Sequence, residues 1–219
     1  DGLAALPLMM SVRAAVRAHV WAHVNDDASA SAYLDAALAH LDPPPPCLLA
    51  VGGLSGTGKS TVARLIAPGL GAAPGAVILR TDEVRKRLMG VPPDSRLPAA
   101  AYGPGFYEQV YDTLFNEAGQ ALGAGRAVVL DAPFIEPGLR SRARLLAARA
   151  GVPFEGIWLE APADILVQRI AARHGDASDA TVETLQMQLD RGVGDLDWMR
   201  LDASGTAAEA AEAWAQRPA

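Results

Sequence analysis

The chain is poor in the residues on which several classes of protein depend. It has one cysteine, Cys47, among 219 residues, so neither an internal disulfide nor a zinc site of several cysteines can form. No run approaches the roughly 20 consecutive apolar residues of a membrane-spanning helix. Basic residues do not predominate, since 19 Lys and Arg stand against 25 Asp and Glu, which disfavours broad electrostatic binding of nucleic acid. We therefore expect a cytoplasmic protein with no membrane partner and little affinity for nucleic acid.

Half of the residues are hydrophobic, which is enough for a globular core, and their spacing changes at a run of four prolines. Valines at four-residue intervals before this run predict a helix; they are Val12, Val16, Val20 and Val24. Ser31 is a candidate N-cap for a second helix. Prolines 43–46 cannot continue a helix and favour a stiff extended linker. The predicted organisation is a helical segment over 1–42, a linker over 43–46 and a domain over 47–219.

After the prolines, short apolar runs alternate with segments of helix length. The runs cover residues 47–51, 76–79, 127–130, 154–159 and, more weakly, 198–201. Nearly continuous apolar strands of this kind are typical of a parallel sheet whose two faces are both covered by helices. The sequence therefore predicts an α/β fold with a five-stranded parallel sheet flanked by helices, and a last helix over about 206–216.

The sequence GLSGTGKS at residues 53–60 fits G-x-x-x-x-G-K-[ST], directly after the first predicted strand and before a helical segment. Glycines let main-chain amides turn toward an anion, and the following helix adds partial positive charge. In such a loop Lys59 reaches the β- and γ-phosphates and the Ser60 hydroxyl binds Mg²⁺. No guanine-reading N/T-K-x-D pattern is present, so ATP is the predicted nucleotide. The residues assigned to nucleotide binding here are Gly53, Ser55, Gly56, Thr57, Gly58, Lys59, Ser60 and Thr61.

Two carboxylates follow neighbouring strands of the predicted sheet. Asp131 ends the third apolar run, at the sheet edge where ligands of open α/β folds bind; it is predicted to hold Mg²⁺ or to contact substrate, or else to cap a turn. Asp82 follows the second run, where it can accept the proton of an attacking hydroxyl or simply cap the next helix. Arg85, one turn later, is predicted to bind an anionic part of the acceptor, with a solvated helix face as the alternative.

Two arginines, Arg169 and Arg173, lie four residues apart on the helix predicted after the fourth strand and therefore share a face. They are predicted to neutralise charge that develops on the γ-phosphoryl group, the alternative being two surface residues. Residues 174–179 are interpreted as a mobile hinge or lid loop. Four aromatic residues follow a proline-rich loop: Tyr102, Phe106, Tyr107 and Tyr111. They are expected to pack on the core as the stripe of a helix, the alternative being that they line an acceptor pocket.

These residues together resemble the P-loop kinases that phosphorylate small molecules or toxin targets, among them gluconate kinase, chloramphenicol phosphotransferase, zeta toxin and the kinase half of polynucleotide kinase. The resemblance covers residues 46–216 and implies a sheet of the nucleoside-monophosphate-kinase type. Residues 51–60, 79–85 and 173–179 are more closely similar to the C-terminal ATP-binding half of bacterial two-part proteins. The N-terminal half of those proteins is similar to aminoglycoside phosphotransferases.

The resemblance implies roles for further residues. Residues 1–41 would close an upstream aminoglycoside phosphotransferase-like domain, and residues 201–205 would form the loop beside adenine, with Asp202 and Gly205 in contact with the nucleotide. Lys59, Asp82, Arg169 and Arg173 would be catalytic. The function expected is transfer of the γ-phosphoryl group of Mg-ATP to a hydroxyl of a small molecule such as a sugar, nucleoside or aminoglycoside. Two alternatives stay open: an ATP-binding and ATP-hydrolysing regulatory module of a two-domain protein, and a polynucleotide 5'-hydroxyl kinase.

Overall fold

A computed structural model describes residues 2–172 and 178–217, and within them helices alternate with the strands of one sheet. The strands are β1 (Leu48–Gly53), β2 (Val77–Arg80), β3 (Val128–Asp131), β4 (Phe154–Glu160) and β5 (Met199–Asp202). The helices are α1 (Leu6–His23), α2 (Asp27–Leu41), α3 (Lys59–Ile66), α4 (Thr81–Leu88), α5 (Pro104–Gly123), α6 (Pro137–Ala150), α7 (Ala163–Ala171), α8 (Val182–Arg191) and α9 (Ala207–Ala215). Of the helices in these described ranges, none combines the length and the apolarity needed to cross a bilayer.

The five strands are all parallel and lie in the order β2-β3-β1-β4-β5. Each overlaps its predicted apolar run, so the predicted five-stranded parallel sheet flanked by helices is confirmed. In the register, Asp131 at the end of β3 lies beside Val51 of β1 on one side and Arg80 of β2 on the other. Because the carboxyl ends of parallel strands meet at one edge, the loops after β1, β2 and β3 are neighbours.

Successive residues of a strand point to opposite faces of the sheet, and both faces are buried. Leu48 and Ala50 of β1 pack toward α5 and α6, whereas Leu49 and Val51 pack toward α3 and α9. All four side chains are buried. This two-sided burial explains why the strands have nearly continuous apolar sequences.

Trp198, just before β5, packs directly on the sheet. A Cβ atom added to Gly156 of β4 would lie 2.3 Å from the indole Cδ2 of Trp198, and one added to Gly52 would lie 3.0 Å from its Cζ3. The indole also contacts Phe134 edge-on, with ring centroids 5.1 Å apart. The absence of a side chain at Gly156 therefore makes the room that the indole fills.

Replacing Gly156 by alanine is expected to destabilise the fold by about 1–3 kcal/mol, because an extra methyl group in a filled core forces side chains out of their rotamers. Gly119→Ala in α5 is the matched control. Its Cβ would meet only Leu146 Cδ1, at 3.5 Å, and alanine favours a helix over glycine by about 1 kcal/mol. Equilibrium unfolding in urea measures both changes. Equal midpoints for Gly156→Ala and wild type would contradict this description of the Trp198 contact.

The first two helices pack on each other through small residues. The buried positions are Ser11, Ala14 and Ala18 of α1 and Ala37 of α2. The valines that predicted the helix are between 48% and 58% exposed; they are Val12, Val16, Val20 and Val24. The predicted N-cap at Ser31 is wrong: α2 begins at Asp27, and the Asp26 carboxylate caps it by accepting a hydrogen bond from the Ser29 amide at 3.0 Å. Aspartate is as good an N-cap as serine, and it comes first along the chain.

Two buried arginines fix loops by donating to main-chain carbonyl oxygens. Arg126 binds the carbonyls of Ala72, Ala73 and Gly75. Arg140 binds those of Phe134, Ile135, Val193 and Asp195, and so joins the loop after β3 to the loop after α8. Burial lowers the pKa of both guanidinium groups, but the carbonyl dipoles satisfy their charge.

Candidate functional site

Residues 53–60 form the turn between β1 and α3. Gly56 (φ +89°) and Gly58 (φ +85°) adopt left-handed conformations that favour glycine. Gly58 is the N-cap of α3, so the amino end of this helix adds partial positive charge to the loop. A Cβ on Gly56 would lie 2.8 Å from the Leu166 carbonyl oxygen. Helix α7 can therefore rest against the loop only because Gly56 has no side chain.

Two polar side chains of this loop donate to the same acceptor, the carbonyl oxygen of Leu54. It accepts hydrogen bonds from Thr57 Oγ1 at 2.9 Å and from Lys59 Nζ at 2.9 Å. The ammonium group thus lies against the loop, beside the main-chain amides. Ser60 is half-buried and Thr61 exposed in the first turn of α3. An array of amides with an adjacent ammonium group is a site for a polyphosphate.

A cavity of about 670 Å³ opens beside the loop, on the side of β4 and β5. The side chains that matter for its chemistry are Leu54 and Thr57 of the loop, Pro162 and Leu166 at the start of α7, and Asp202 and Ser204 after β5. The cavity joins apolar walls to a polar rim next to the polyphosphate loop, a combination common in nucleotide sites.

Arg169 on α7 holds the rim of this cavity. Its guanidinium donates to the carbonyls of Ala203 at 2.6 Å and Ser204 at 2.9 Å, and also to that of Gly205. The Asp202 carboxylate accepts a hydrogen bond from the Ser204 amide at 2.8 Å, and hydrogen bonds from Ser204 lower the pKa of Asp202. These hydrogen bonds hold residues 202–205 in one conformation. A loop that binds the adenine base, as predicted for these residues, needs such a fixed position.

Arg169 was predicted to face a γ-phosphoryl group, but its guanidinium binds the carbonyls of the loop after β5. The carbonyls at the end of β5 point at α7 and engage both terminal nitrogens of the guanidinium. Arg169 therefore positions a loop in this structure. Its predicted partner, Arg173, lies outside the described residues, as does most of the predicted lid loop at 174–179.

On the other side of β1, a buried ion pair joins β2 to β3. Arg80 Nε donates to Asp131 Oδ2 at 3.0 Å, and both side chains are 5% exposed or less. Arg80 also pairs with Glu83 of α4 at 3.2 Å. The strand register makes this pair possible, because Arg80 and Asp131 are direct neighbours across the sheet. Sequence reasoning missed Arg80, although a basic residue at the end of an apolar strand was the available signal.

Asp82, in the first turn of α4, lies within electrostatic reach of the loop and of β3. Burial and the like charge of Asp131 raise the pKa of Asp82, and the nearby positive charges of Lys59, Arg80 and Arg85 oppose that shift. Asp82 is not the N-cap of α4. The N-cap residue is Arg80, and its side chain makes no capping hydrogen bond. Lys59 and Asp131 thus both lie within electrostatic range of Asp82.

Arg85 is a buried cation on α4, one turn after Asp82. It is 5% exposed, so the alternative of a solvated helix face is wrong. One terminal nitrogen donates to the Ala101 carbonyl at 2.7 Å, and the guanidinium carbon lies 4.7 Å from the centroid of the Tyr102 ring. Its Nε is buried and forms no hydrogen bond with the described residues. Within residues 2–172 and 178–217 no carboxylate pairs with it, which leaves a donor and a positive charge for a ligand.

Asp179, before α8, holds the loop over residues 91–102. Its carboxylate accepts hydrogen bonds from the Leu97 amide at 3.0 Å and the Tyr102 hydroxyl at 2.9 Å, and lies 3.5 Å from the buried Lys86 ammonium. Burial and the hydrogen bond to Asp179 raise the pKa of Tyr102. The expectation that the aromatic residues pack on the core is confirmed for Tyr111, which is 1% exposed, but is wrong for Tyr102, which is 45% exposed.

The predicted magnesium ligands, Ser60 and Asp131, offer hard oxygen atoms. One oxygen of Asp131 accepts from Arg80, and the other makes no hydrogen bond to the described part of the chain. Residues 2–172 and 178–217 contain no group of three or more His, Cys, Asp or Glu side chains that would enclose a metal ion. Mg²⁺ commonly binds one or two protein oxygens together with phosphate oxygens and water.

The family to which these features belong is established by comparison with known sequences. The model of the AAA_33 family, described as an AAA domain, matches residues 48–192, from β1 through α8. The chain belongs to this family. The matched part contains loop 53–60 and the carboxylates of β3 and α4, so the site lies in the segment that defines an AAA_33 domain.

Relatives and solved structures extend this result. An uncharacterized protein of Mycobacterium tuberculosis is 36% identical over 186 residues, which cover 80% of this chain and 36% of that protein. An adenylyl-sulfate kinase of Myxococcus xanthus is 35% identical over 121 residues, covering 53% of this chain and 59% of the kinase. The chain thus spans about a third of the length (36%) of the mycobacterial relatives it matches.

The APS kinase CysC of Mycobacterium tuberculosis, solved in complex with AMPPNP and APS, shares the fold of this AAA_33 domain. Its TM-score is 0.53 at 21% identity, and the match covers 78% of this chain and 96% of that one. The kinase-type P-loop fold predicted from the sequence is therefore confirmed.

Proposed function

We propose that this AAA_33 domain transfers the γ-phosphoryl group of Mg-ATP to a hydroxyl group of a small molecule. The observation that carries the proposal is the placement of Asp82, a carboxylate with a raised pKa, within electrostatic reach of Lys59 on the phosphate loop. A polyphosphate site alone suits many ATPases and GTPases. A carboxylate base facing that site is the part that phosphoryl transfer to a hydroxyl requires. The similarity to an adenylyl-sulfate kinase supports the same conclusion.

The nucleotide would occupy two adjoining regions. Adenosine fits the cavity of about 670 Å³ between α7 and the loop after β5, and the triphosphate fits loop 53–60, with Lys59 against its β- and γ-phosphates. Ser60 and Asp131 would hold Mg²⁺, which when bound neutralises charge on the phosphate oxygens. Arg169 would keep the adenosine wall in place through the carbonyls of residues 203–205.

The acceptor would bind on the side of β2, where Asp82 and Arg85 lie one turn apart on α4. The acceptor oxygen forms a bond to the γ-phosphorus, the bond from that phosphorus to the β–γ bridging oxygen breaks, and the hydroxyl proton passes to Asp82. Arg85 has a buried positive charge and an Nε donor that has no acceptor in the described part of the chain. This supports an acceptor that carries an anionic group, such as a carboxylate, phosphate or sulfate, near its reacting hydroxyl.

An acceptor screen tests the proposal. The protein is incubated with ATP, Mg²⁺ and pools of neutral sugars, sugar acids, nucleosides, nucleotides and aminoglycosides, and ADP release and product mass are measured. We expect ADP release that depends on the acceptor and is fastest with an anionic pool. Slow ATP hydrolysis that no pool accelerates would contradict the proposal.

Arg85→Gln is expected to raise KM for an anionic acceptor by about 10- to 100-fold, the range for losing a hydrogen bond to a charged group, with little change in KM for ATP. Arg87→Gln is the matched control on the same helix, because that side chain is 57% exposed and pairs with Glu117 at the surface. Steady-state kinetics with the best acceptor measures both constants. An equal loss with neutral and anionic acceptors would argue against the anion site.

A second candidate is an ATP-binding regulatory module. It is favoured by the length of the mycobacterial relatives, of which this chain spans 36%, because a domain within a longer protein can control its neighbour. Efficient phosphorylation of a small molecule by this chain alone would exclude that role.

A further inference from the structure

Helix α8 makes a direct contact with the phosphate loop. The main-chain amide of Ser55 donates a hydrogen bond of 2.8 Å to Oε1 of Gln188, across 133 residues of sequence. No motif includes Gln188, and its helix lies beyond the predicted lid. The contact therefore adds a side chain to the loop that sequence reasoning did not supply.

Apolar packing between α8 and α7 holds Gln188 near the phosphate loop. Leu185, three residues before Gln188 and on the same face of α8, is 1% exposed and packs with Leu166 and Ile170 of α7. Leu54, the residue before Ser55, packs against the same cluster. The apolar contact of Leu185 with this cluster thus brings the next turn of α8 over the Ser55 amide.

The start of α8 is fixed as well. Thr181 and Thr184 form a reciprocal capping box, in which the Thr184 amide donates to Thr181 Oγ1 at 3.3 Å. Two residues earlier, Asp179 binds the Tyr102 hydroxyl and the Leu97 amide. Helix α8 is therefore anchored both at its start and along its apolar face, so Gln188 has a defined position in the folded chain.

The hydrogen bond from Ser55 fixes the orientation of the Gln188 carboxamide, with Oε1 toward the Ser55 amide. An amide N–H needs an acceptor, so Oε1 takes that place and the –NH₂ group is directed elsewhere. Nε2 lies about 2.3 Å from Oε1 by covalent geometry, and hence within about 5 Å of the Ser55 amide nitrogen that donates to Oε1. No acceptor for Nε2 is found in residues 2–172 and 178–217. Two neutral N–H donors thus remain at the rim of the loop.

We infer that Gln188 is a further phosphate-binding residue, whose Nε2 donates to an oxygen of the γ-phosphate of ATP. This inference rests on the proposed function. The amides of such a loop surround the α- and β-phosphates, while the γ-phosphate depends on side-chain donors. Lys59 is one, and Gln188, bound to the half of the loop that precedes α3, is the second. Its Oε1 positions the loop and its Nε2 binds the ligand.

Isothermal titration of ADP and of AMPPNP, each with Mg²⁺, separates ligand binding from loop positioning without an acceptor. Gln188→Ala is expected to weaken AMPPNP binding by about 10- to 100-fold, the range for a hydrogen bond to a charged group, and ADP binding by much less. Gln188→Glu keeps an acceptor for the Ser55 amide but places a carboxylate beside the γ-phosphate. It is expected to weaken AMPPNP binding more than the alanine variant does.

Gln186→Ala is the matched control, because Gln186 is on the same helix, is exposed and donates to Asp190 of that helix. It should leave both affinities unchanged. Circular dichroism melting checks that each variant folds. Equal losses of ADP and AMPPNP affinity in Gln188→Ala, or wild-type AMPPNP affinity in Gln188→Glu, would overturn the inference alone. A wild-type protein that binds neither nucleotide would overturn the proposed function and the inference with it.

Discussion

Asp82→Asn is expected to slow phosphoryl transfer by about 10²- to 10⁴-fold, the usual contribution of a positioned general base. Asparagine keeps the size of the side chain but cannot accept the hydroxyl proton. Affinity for ATP should change little, since Asp82 is placed toward the acceptor and not in loop 53–60. Single-turnover transfer to the best acceptor, alongside titration with AMPPNP, measures the two effects separately. Asp112→Asn, at an exposed pair with Arg142, serves as the control.

The pH dependence gives a second test of the same residue. Burial and the charge of Asp131 raise the pKa of Asp82, so the wild-type rate should fall, as pH decreases, at a higher pH than the usual aspartate value of about 3.9 would give. The rate of the Asp82→Asn variant should not show this fall at acidic pH. A carboxylate whose pKa is higher in the folded state opposes folding once it is ionised. The variant should therefore be at least as stable as wild type at pH 7, and the difference should shrink as pH falls through the folded-state pKa. A parallel pH profile in both proteins would refute the assignment of Asp82 as the base.

Lys59→Ala is expected to reduce turnover by about 10²- to 10³-fold, as for the loss of one preorganised charge-stabilising donor, and to weaken ATP binding strongly. The ammonium group lies 2.9 Å from the Leu54 carbonyl, beside the amides of the loop, and alanine removes this positive charge from the triphosphate site. Lys59 also lowers the pKa of Asp82. In the Lys59→Ala variant, the fall of any remaining activity at acidic pH should therefore begin at a higher pH.

Arg64→Ala is the control for this change, because Arg64 is an exposed cation on the same helix, α3. It removes one positive charge from the chain without touching the loop. Nucleotide titration and coupled ADP release measure binding and turnover. Retention of both by Lys59→Ala would remove loop 53–60 from the nucleotide site.

The fold was largely predictable because its signals are local. An apolar run followed by a glycine-rich loop identifies β1 with its phosphate loop, and the other strands follow the same alternation of apolar run and helix. The positions of Lys59, Asp82 and Asp131 follow from sheet topology, since parallel strands bring their carboxyl ends to one edge. Even the weak run at 198–201 forms a strand, β5, because β4 provides its hydrogen-bonding partner.

The rest depends on contacts between distant segments. Nothing near Gln188 indicates that its side chain binds Ser55, and nothing near Asp179 indicates that it binds Tyr102. Arg85 stands in a basic run that is typical of a solvated face, yet the loop at 91–102 covers it. Arg169 was placed on the correct helix, but the carbonyls after β5 give it a partner that periodicity does not reveal.

The use of main-chain carbonyls as partners for Arg126, Arg140 and Arg169 determines how the protein responds to acid. A carbonyl oxygen does not take up a proton in the range where carboxylates do, so these attachments outlast the surface ion pairs as pH decreases. The loops around the sheet should then stay in place under mildly acidic conditions in which Asp82 is already protonated. Inactivation by acid should accordingly precede unfolding and reverse fully on neutralisation.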